Sequence, residues 1–140
     1  VFNSTADLIL LGATLMLNGT TQTFGTLTVS ADSTIDFGGS SAHLNLSSLV
    51  IGANVTLTIT NWADAADFFY TQNWTGAGFD IGGSAPMNQV SFTGFAASAT
   101  KWQSFDKQIT PVPEPSTYGA LLLAGLGAFA GIRRYRRTRA

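Results

Sequence analysis

From residue 14 to residue 62 the chain repeats one local pattern, two apolar side chains with a polar one between them, closed off by glycine or asparagine. The pattern runs through "TLMLNG" at 14–19, "GTLTVS" at 25–30, "STIDFGG" at 33–39, "AHLNLSS" at 42–48, "SLVIG" at 48–52 and "VTLTITNW" at 55–62. A period of two puts Leu15 with Leu17, Leu27 with Val29, Ile35 with Phe37, Leu44 with Leu46 and Leu57 with Ile59 on one face of a half-buried strand. Asn18-Gly19, Gly38-Gly39 and Gly52-Ala53-Asn54 separate the bursts with residues that enter tight turns at low cost. Charged residues make up only 11% of the chain, too few for exposed helices, so the body reads as all-β with many short strands. Two arrangements satisfy the pattern: antiparallel hairpins in a sandwich or meander, or a parallel solenoid whose rungs each lend apolar residues to one continuous core.

The stretch "ATLMLNGTTQTFGTLTVSADSTIDFGGSSAHLNLSS" resembles the autotransporter-associated β-strand repeats of bacterial surface proteins. Those repeats are similar to right-handed parallel β-helices. The resemblance implies that residues 1–62 form the end of a short right-handed parallel β-helix. Beyond Trp62 the chain becomes aromatic-rich, with Phe68, Phe69, Tyr70, Trp74, Phe79, Phe92, Phe95, Trp102 and Phe105. A solenoid end exposes apolar surface and unpaired strand edges, so residues 63–110 are expected to cap it. A competing reading gives Trp62, Trp74 and Trp102 exposed faces that contact glycans. Near the start, "LILLGATLML" lacks the basic region and cleavage site of a signal peptide and reads as a strand pair, with the chain the C-terminal part of a longer precursor.

Charge is distributed unevenly. Residues 1–132 hold eight acidic side chains against Lys101 and Lys107, a net of −6, and the last eight residues carry five arginines. So acidic a body lacks the clustered cations that phosphate backbones require, and nucleic acid is excluded as a partner. The chain has no cysteine, which removes disulfides, thiolate metal sites and thiol nucleophiles.

Residues 111–140 combine three distinct parts. "PVPEPST" is a stiff, extended linker. Residues 118–132 then run without a charge, and as a helix they span about 22 Å, somewhat less than the hydrocarbon core. That run is apolar all round, as a single transmembrane helix is and a surface helix is not. Arg133, Arg134, Arg136, Arg137 and Arg139 follow at once; they extend the span by snorkelling and hold the C-terminus in the cytoplasm, which leaves the body outside the inner membrane. Gly127 and Gly131 form a Gly-x-x-x-Gly pair that permits close helix approach.

The sequence "VPEPSTYGALLLAGLGAFAGIRRYRR" resembles the PEP-CTERM sorting signal over its full length. The resemblance implies recognition by exosortase, a membrane-embedded transpeptidase-like enzyme of Gram-negative bacteria, in species that make exopolysaccharide. By the same resemblance Pro113, Glu114 and Pro115 are the recognition element, and the tail is cut nearby to send the body to the cell surface or extracellular matrix.

Catalytic chemistry is sparse in the body. It has no arginine, and its one histidine, His43, sits on the polar face of a strand pattern. Asp64 and Asp67 form an Asp-x-x-Asp in a turn, far short of a hydrolase or lyase constellation. "GAGFDIGG" at 76–83 imitates one calcium-binding β-roll repeat but occurs singly and with Gly82 in place of a large apolar residue. The Asn-x-Ser/Thr sequons at Asn3, Asn18, Asn45, Asn54 and Asn73 follow from composition. The expectation is an exported structural protein that is not an enzyme and holds no cofactor or metal. The alternatives are a module that binds envelope polysaccharide and the C-terminal part of a β-helix polysaccharide-degrading enzyme whose active site lies upstream.

Overall fold

A computed structural model describes residues 5–39 and 41–112. Among these described residues are ten strands: β1 (Leu8–Leu11), β2 (Thr14–Met16), β3 (Thr21–Ala31), β4 (Ser33–Asp36), β5 (His43–Ile51), β6 (Leu57–Thr60), β7 (Phe68–Trp74), β8 (Val90–Phe92), β9 (Thr100–Trp102) and β10 (Ile109–Pro111). The first eight alternate between two four-stranded sheets, β1-β3-β5-β7 and β2-β4-β6-β8, and every neighbouring pair within them is parallel. Consecutive strands therefore belong to different sheets, as in a chain that winds round one axis. The body is a parallel β-solenoid of about three turns, which selects the solenoid over the antiparallel arrangement. Accordingly β1 and β2, the expected strand pair, each pair with the following coil rather than with each other.

Register converts the sequence period into a core. Thr21 lies opposite His43 and His43 opposite Phe68, so successive coils take 22 and 25 residues. Inward positions then stack in rows: Leu15, Ile35, Ile59 and Phe92 in one sheet, Leu27, Leu49 and Trp74 in the other. All of these but Leu15 are buried, and Leu15 packs against the same core. Each fully buried Leu, Ile or Phe side chain contributes about 1.5–3 kcal/mol of transfer free energy. At one corner of each of three successive coils stands a residue with positive φ, namely Asn18, Gly38 and Asn61. A side chain on Gly38 would place its Cβ 3.0 Å from the Cα of Asn18 on the coil below. Glycine is needed there for both conformation and space.

Acidic side chains tie the coils together. Asp7 Oδ1 accepts the Thr26 N–H at 2.6 Å, and Asp32 Oδ1 accepts the Thr56 N–H at 2.8 Å. Asp36 Oδ1 takes the Gly38 N–H and the Asn61 side-chain amide, both at 2.8 Å. Much of the body's negative charge is thus spent on donors that the strand ladders leave without partners.

The ladders continue past Trp62, where the sequence places the start of the cap: β7 and β8 add a strand to each sheet from within residues 63–110. The closing structure comes after them. β9 and β10 pair antiparallel, and the far edge of β7 is taken up by their hairpin through the Thr71 N–H to Lys107 O bond at 3.1 Å and the Tyr70–Gln108 bridge. Thr100 Oγ1 donates to Val90 O at 2.6 Å and joins the hairpin to β8. At the opposite end β1 and β2 each have a strand partner on one side only among the described residues. Ile9, Leu11 and Met16 are exposed there at 61%, 71% and 60%.

Among the described residues no helix is long and apolar enough to cross a membrane. The expected transmembrane helix at 118–132, the arginines at 133–139 and the processing element at Pro113, Glu114 and Pro115 lie outside the described residues.

Candidate functional site

The three tryptophans named as glycan contacts occupy different settings. Trp74 and Trp102 are only 4% and 5% exposed. Their rings meet edge-to-face at 6.3 Å, and Phe79 covers Trp102 at 4.2 Å. Trp102 Nε1 donates to the carbonyls of Thr71 and Lys107, each at 3.1 Å, which makes it the pin that holds the hairpin to β7. Trp62 is half-buried, with edge-to-face contacts to Phe37 at 5.0 Å and Phe92 at 4.9 Å. Stacking on a sugar needs an open ring face, and this packing leaves none on Trp74 or Trp102. Sequence alone could not separate these rings from the exposed ones, because core and surface aromatics look alike when every other residue is buried.

His43 lies on the outer face of β5, as its polar-face position predicts, 4.8 Å from the ring of Phe68. Asp64 and Asp67 do not form a pair that could act on a substrate. Asp67 is fully buried, and its two oxygens accept the N–H groups of Ala42 at 2.9 Å and Ala63 at 2.6 Å, while Asp64 takes a long 3.4 Å bond from Trp62 Nε1. The "GAGFDIGG" segment forms turns in which Gly82 packs against the carbonyl oxygens of Ser98 and Thr100, leaving no room for a larger side chain. Among the described residues no three of His, Cys, Asp and Glu are grouped so as to hold a metal ion. Tyr70, on the outer face of β7, has its hydroxyl pKa raised above the ordinary value of 10.0 by partial burial and, second, by the negative charge of Asp106.

The junction between body and tail is the other feature with functional content. Pro111 ends β10 in a buried position, and the next residue, Val112, donates its N–H to Ala99 O at 2.9 Å. This bond is the last contact of the described fold, which ends at Val112. Residues 111–137 match the PEP-CTERM protein-sorting motif. The chain carries a PEP-CTERM sorting signal. Its PEP-CTERM segment begins inside β10, so sorting signal and folded body share Pro111 and Val112 with no spacer between them. A PEP-CTERM motif implies an exported protein processed by exosortase and sorted to the cell surface or envelope. The match covers the tail alone; no curated protein and no solved structure matches the chain.

Proposed function

We propose that this protein is a non-enzymatic structural component of the Gram-negative cell surface or extracellular matrix. Its body is a right-handed β-solenoid, the winding expected of parallel crossovers, delivered by a removable PEP-CTERM tail. The observation that carries this reading is the sorting motif at residues 111–137, set directly against a body whose C-terminal edge is closed. In this reading residues 118–132 cross the inner membrane, the arginines from Arg133 to Arg139 stay in the cytoplasm, and exosortase recognises Glu114 between Pro113 and Pro115. Cutting there frees a body that ends in its own hairpin. A structural role is further supported by the acidic side chains: Asp7, Asp32, Asp36 and Asp67 are engaged by the backbone and serve the fold.

The test is the C-terminal mass of the protein from the outer-envelope fraction of its native host, beside a Glu114→Ala variant. Loss of the tail near residues 113–115 in the wild type, with the variant held in the inner membrane, is the expected result. An intact C-terminus at Ala140 in both would reduce the tail to an ordinary anchor.

A further inference from the structure

The outer face of the first sheet carries an aromatic cluster that the hydrophobic core does not use. Phe68 and Tyr70 are alternate residues of β7 and both point away from the core, whereas Phe69 between them is fully buried. Their rings stand parallel, with an interplanar angle of 6° and centroids 5.8 Å apart. His43 adds a third ring, 4.8 Å from Phe68, from the neighbouring coil. All three are half-buried. At the equivalent register positions on β3 stand Thr21 and Thr23, so this face changes from aromatic to hydroxyl along the solenoid axis.

Polar groups flank the rings without being used. Asn45, in register with Tyr70 on one side and Thr23 on the other, makes no side-chain hydrogen bond among the described residues. The same holds for the hydroxyls of Thr21 and Thr23. Asp106, whose Oδ1 is already engaged by the Gln108 N–H at 3.0 Å, lies near enough to Tyr70 to act on it electrostatically and keeps its second oxygen as an acceptor. The combination of carbon-rich ring surface, free amide and hydroxyl groups and a carboxyl acceptor suits a ligand with apolar C–H faces and many hydroxyls. The charge balance selects among such ligands: eight acidic side chains against two lysines over residues 1–132 repel polyanions.

We propose that Phe68, Tyr70 and His43, with Asn45 and Thr23 beside them, form a binding surface for a neutral hexose polysaccharide laid along the solenoid axis across β7, β5 and β3. Strands at about 4.8 Å spacing give the three-strand path a length of about 10 Å, room for two sugar residues. The proposal rests on the body lying outside the cytoplasm, but its test is independent of tail processing.

The full chain, purified in detergent, is titrated calorimetrically with three probes: cellohexaose, maltohexaose and the polyanion polygalacturonate. Binding of at least one neutral hexaose is expected, and any polygalacturonate binding should fall on the five arginines of the tail and be unchanged by Tyr70→Ala. Tyr70→Ala and Phe68→Ala should each weaken binding of that hexaose by more than tenfold. Should either variant fail to fold, as judged by circular dichroism, Asn45→Ala and Thr23→Val carry the test, with an expected loss of threefold or more. The proposal is overturned if neither neutral hexaose binds, if polygalacturonate binds as well as they do and is weakened as much by Tyr70→Ala, or if folded variants bind like the wild type. It is also overturned if the chain self-associates in solution and Tyr70→Ala abolishes the association, since the face would then be an interface between copies.

Discussion

Asp67 reaches back 25 residues to Ala42, accepting its N–H at 2.9 Å while its second oxygen holds the N–H of Ala63. Ala42 immediately precedes β5 and Ala63 opens the turn that leads to Asp67, and the acceptor is fully buried. Asp67→Ala should therefore destabilise the body by about 2–4 kcal/mol, the cost of leaving two N–H groups without acceptors. Asp67→Asn keeps one acceptor oxygen and should cost less. Chemical denaturation monitored by far-ultraviolet circular dichroism measures both, and equal losses would contradict the two-acceptor account.

The two buried indoles predict an asymmetry. Trp102 Nε1 has two carbonyl partners, whereas Trp74 Nε1 is buried with none among the described residues. Removing a satisfied donor orphans its acceptors, whereas removing an unsatisfied one relieves a desolvation cost. Trp102→Phe should be the more damaging substitution by about 1–2 kcal/mol. Thermal midpoints of the two variants decide the order.

Corner geometry gives a prediction within a pair of adjacent glycines. Gly38 and Gly39 both have positive φ, at 83° and 71°, but among the described residues only Gly38 has a neighbour close to where a Cβ would go. Gly39→Ala should cost about 1–2 kcal/mol from backbone conformation alone. Gly38→Ala must in addition displace the Asn18 backbone and should cost more. A Gly38→Ala variant as stable as Gly39→Ala would mean that the corners are not closely stacked.

Tyr70 sets a pH dependence. Its hydroxyl pKa is raised, by burial first and Asp106 second, so the folded body holds that proton more tightly than the unfolded chain does. The resulting stability is fully present below the unfolded value of 10.0 and is lost as pH rises through the folded value. Spectrophotometric titration near 295 nm should show one tyrosine ionising late, and Asp106→Asn should bring it earlier. No change in that variant would remove the electrostatic part of the explanation.

The sequence disclosed strands more readily than their arrangement. Alternation in "GTLTVS" or "VTLTIT" marks a half-buried strand but reads alike in parallel and antiparallel sheets, so only the resemblance favoured a solenoid. In "FFYTQNW" the alternation is hidden, because Phe68 and Tyr70 face outward with the same aromatic character as the inward Phe69. That masking is why the ladders' continuation beyond Trp62, where the composition changes, was not legible in the sequence. The tail was legible for the opposite reason: its three parts are contiguous and need no tertiary contact to be recognised. Asp67 was legible only as an acidic residue, since its partner Ala42 becomes its neighbour only after a full coil is wound.

The hairpin that closes the solenoid also determines how the body bears load. Within the described residues, tension on the tail, whether from a membrane or from an enzyme drawing it in, passes through Val112 and is met by its bond to Ala99 and then by the Pro111–Thr100 pair. The parallel ladders lie behind these contacts and are loaded only after the hairpin yields. The body is thus fused at its last strand: a strong pull should open the β9–β10 closure and expose the edge of β7 before the coils unwind.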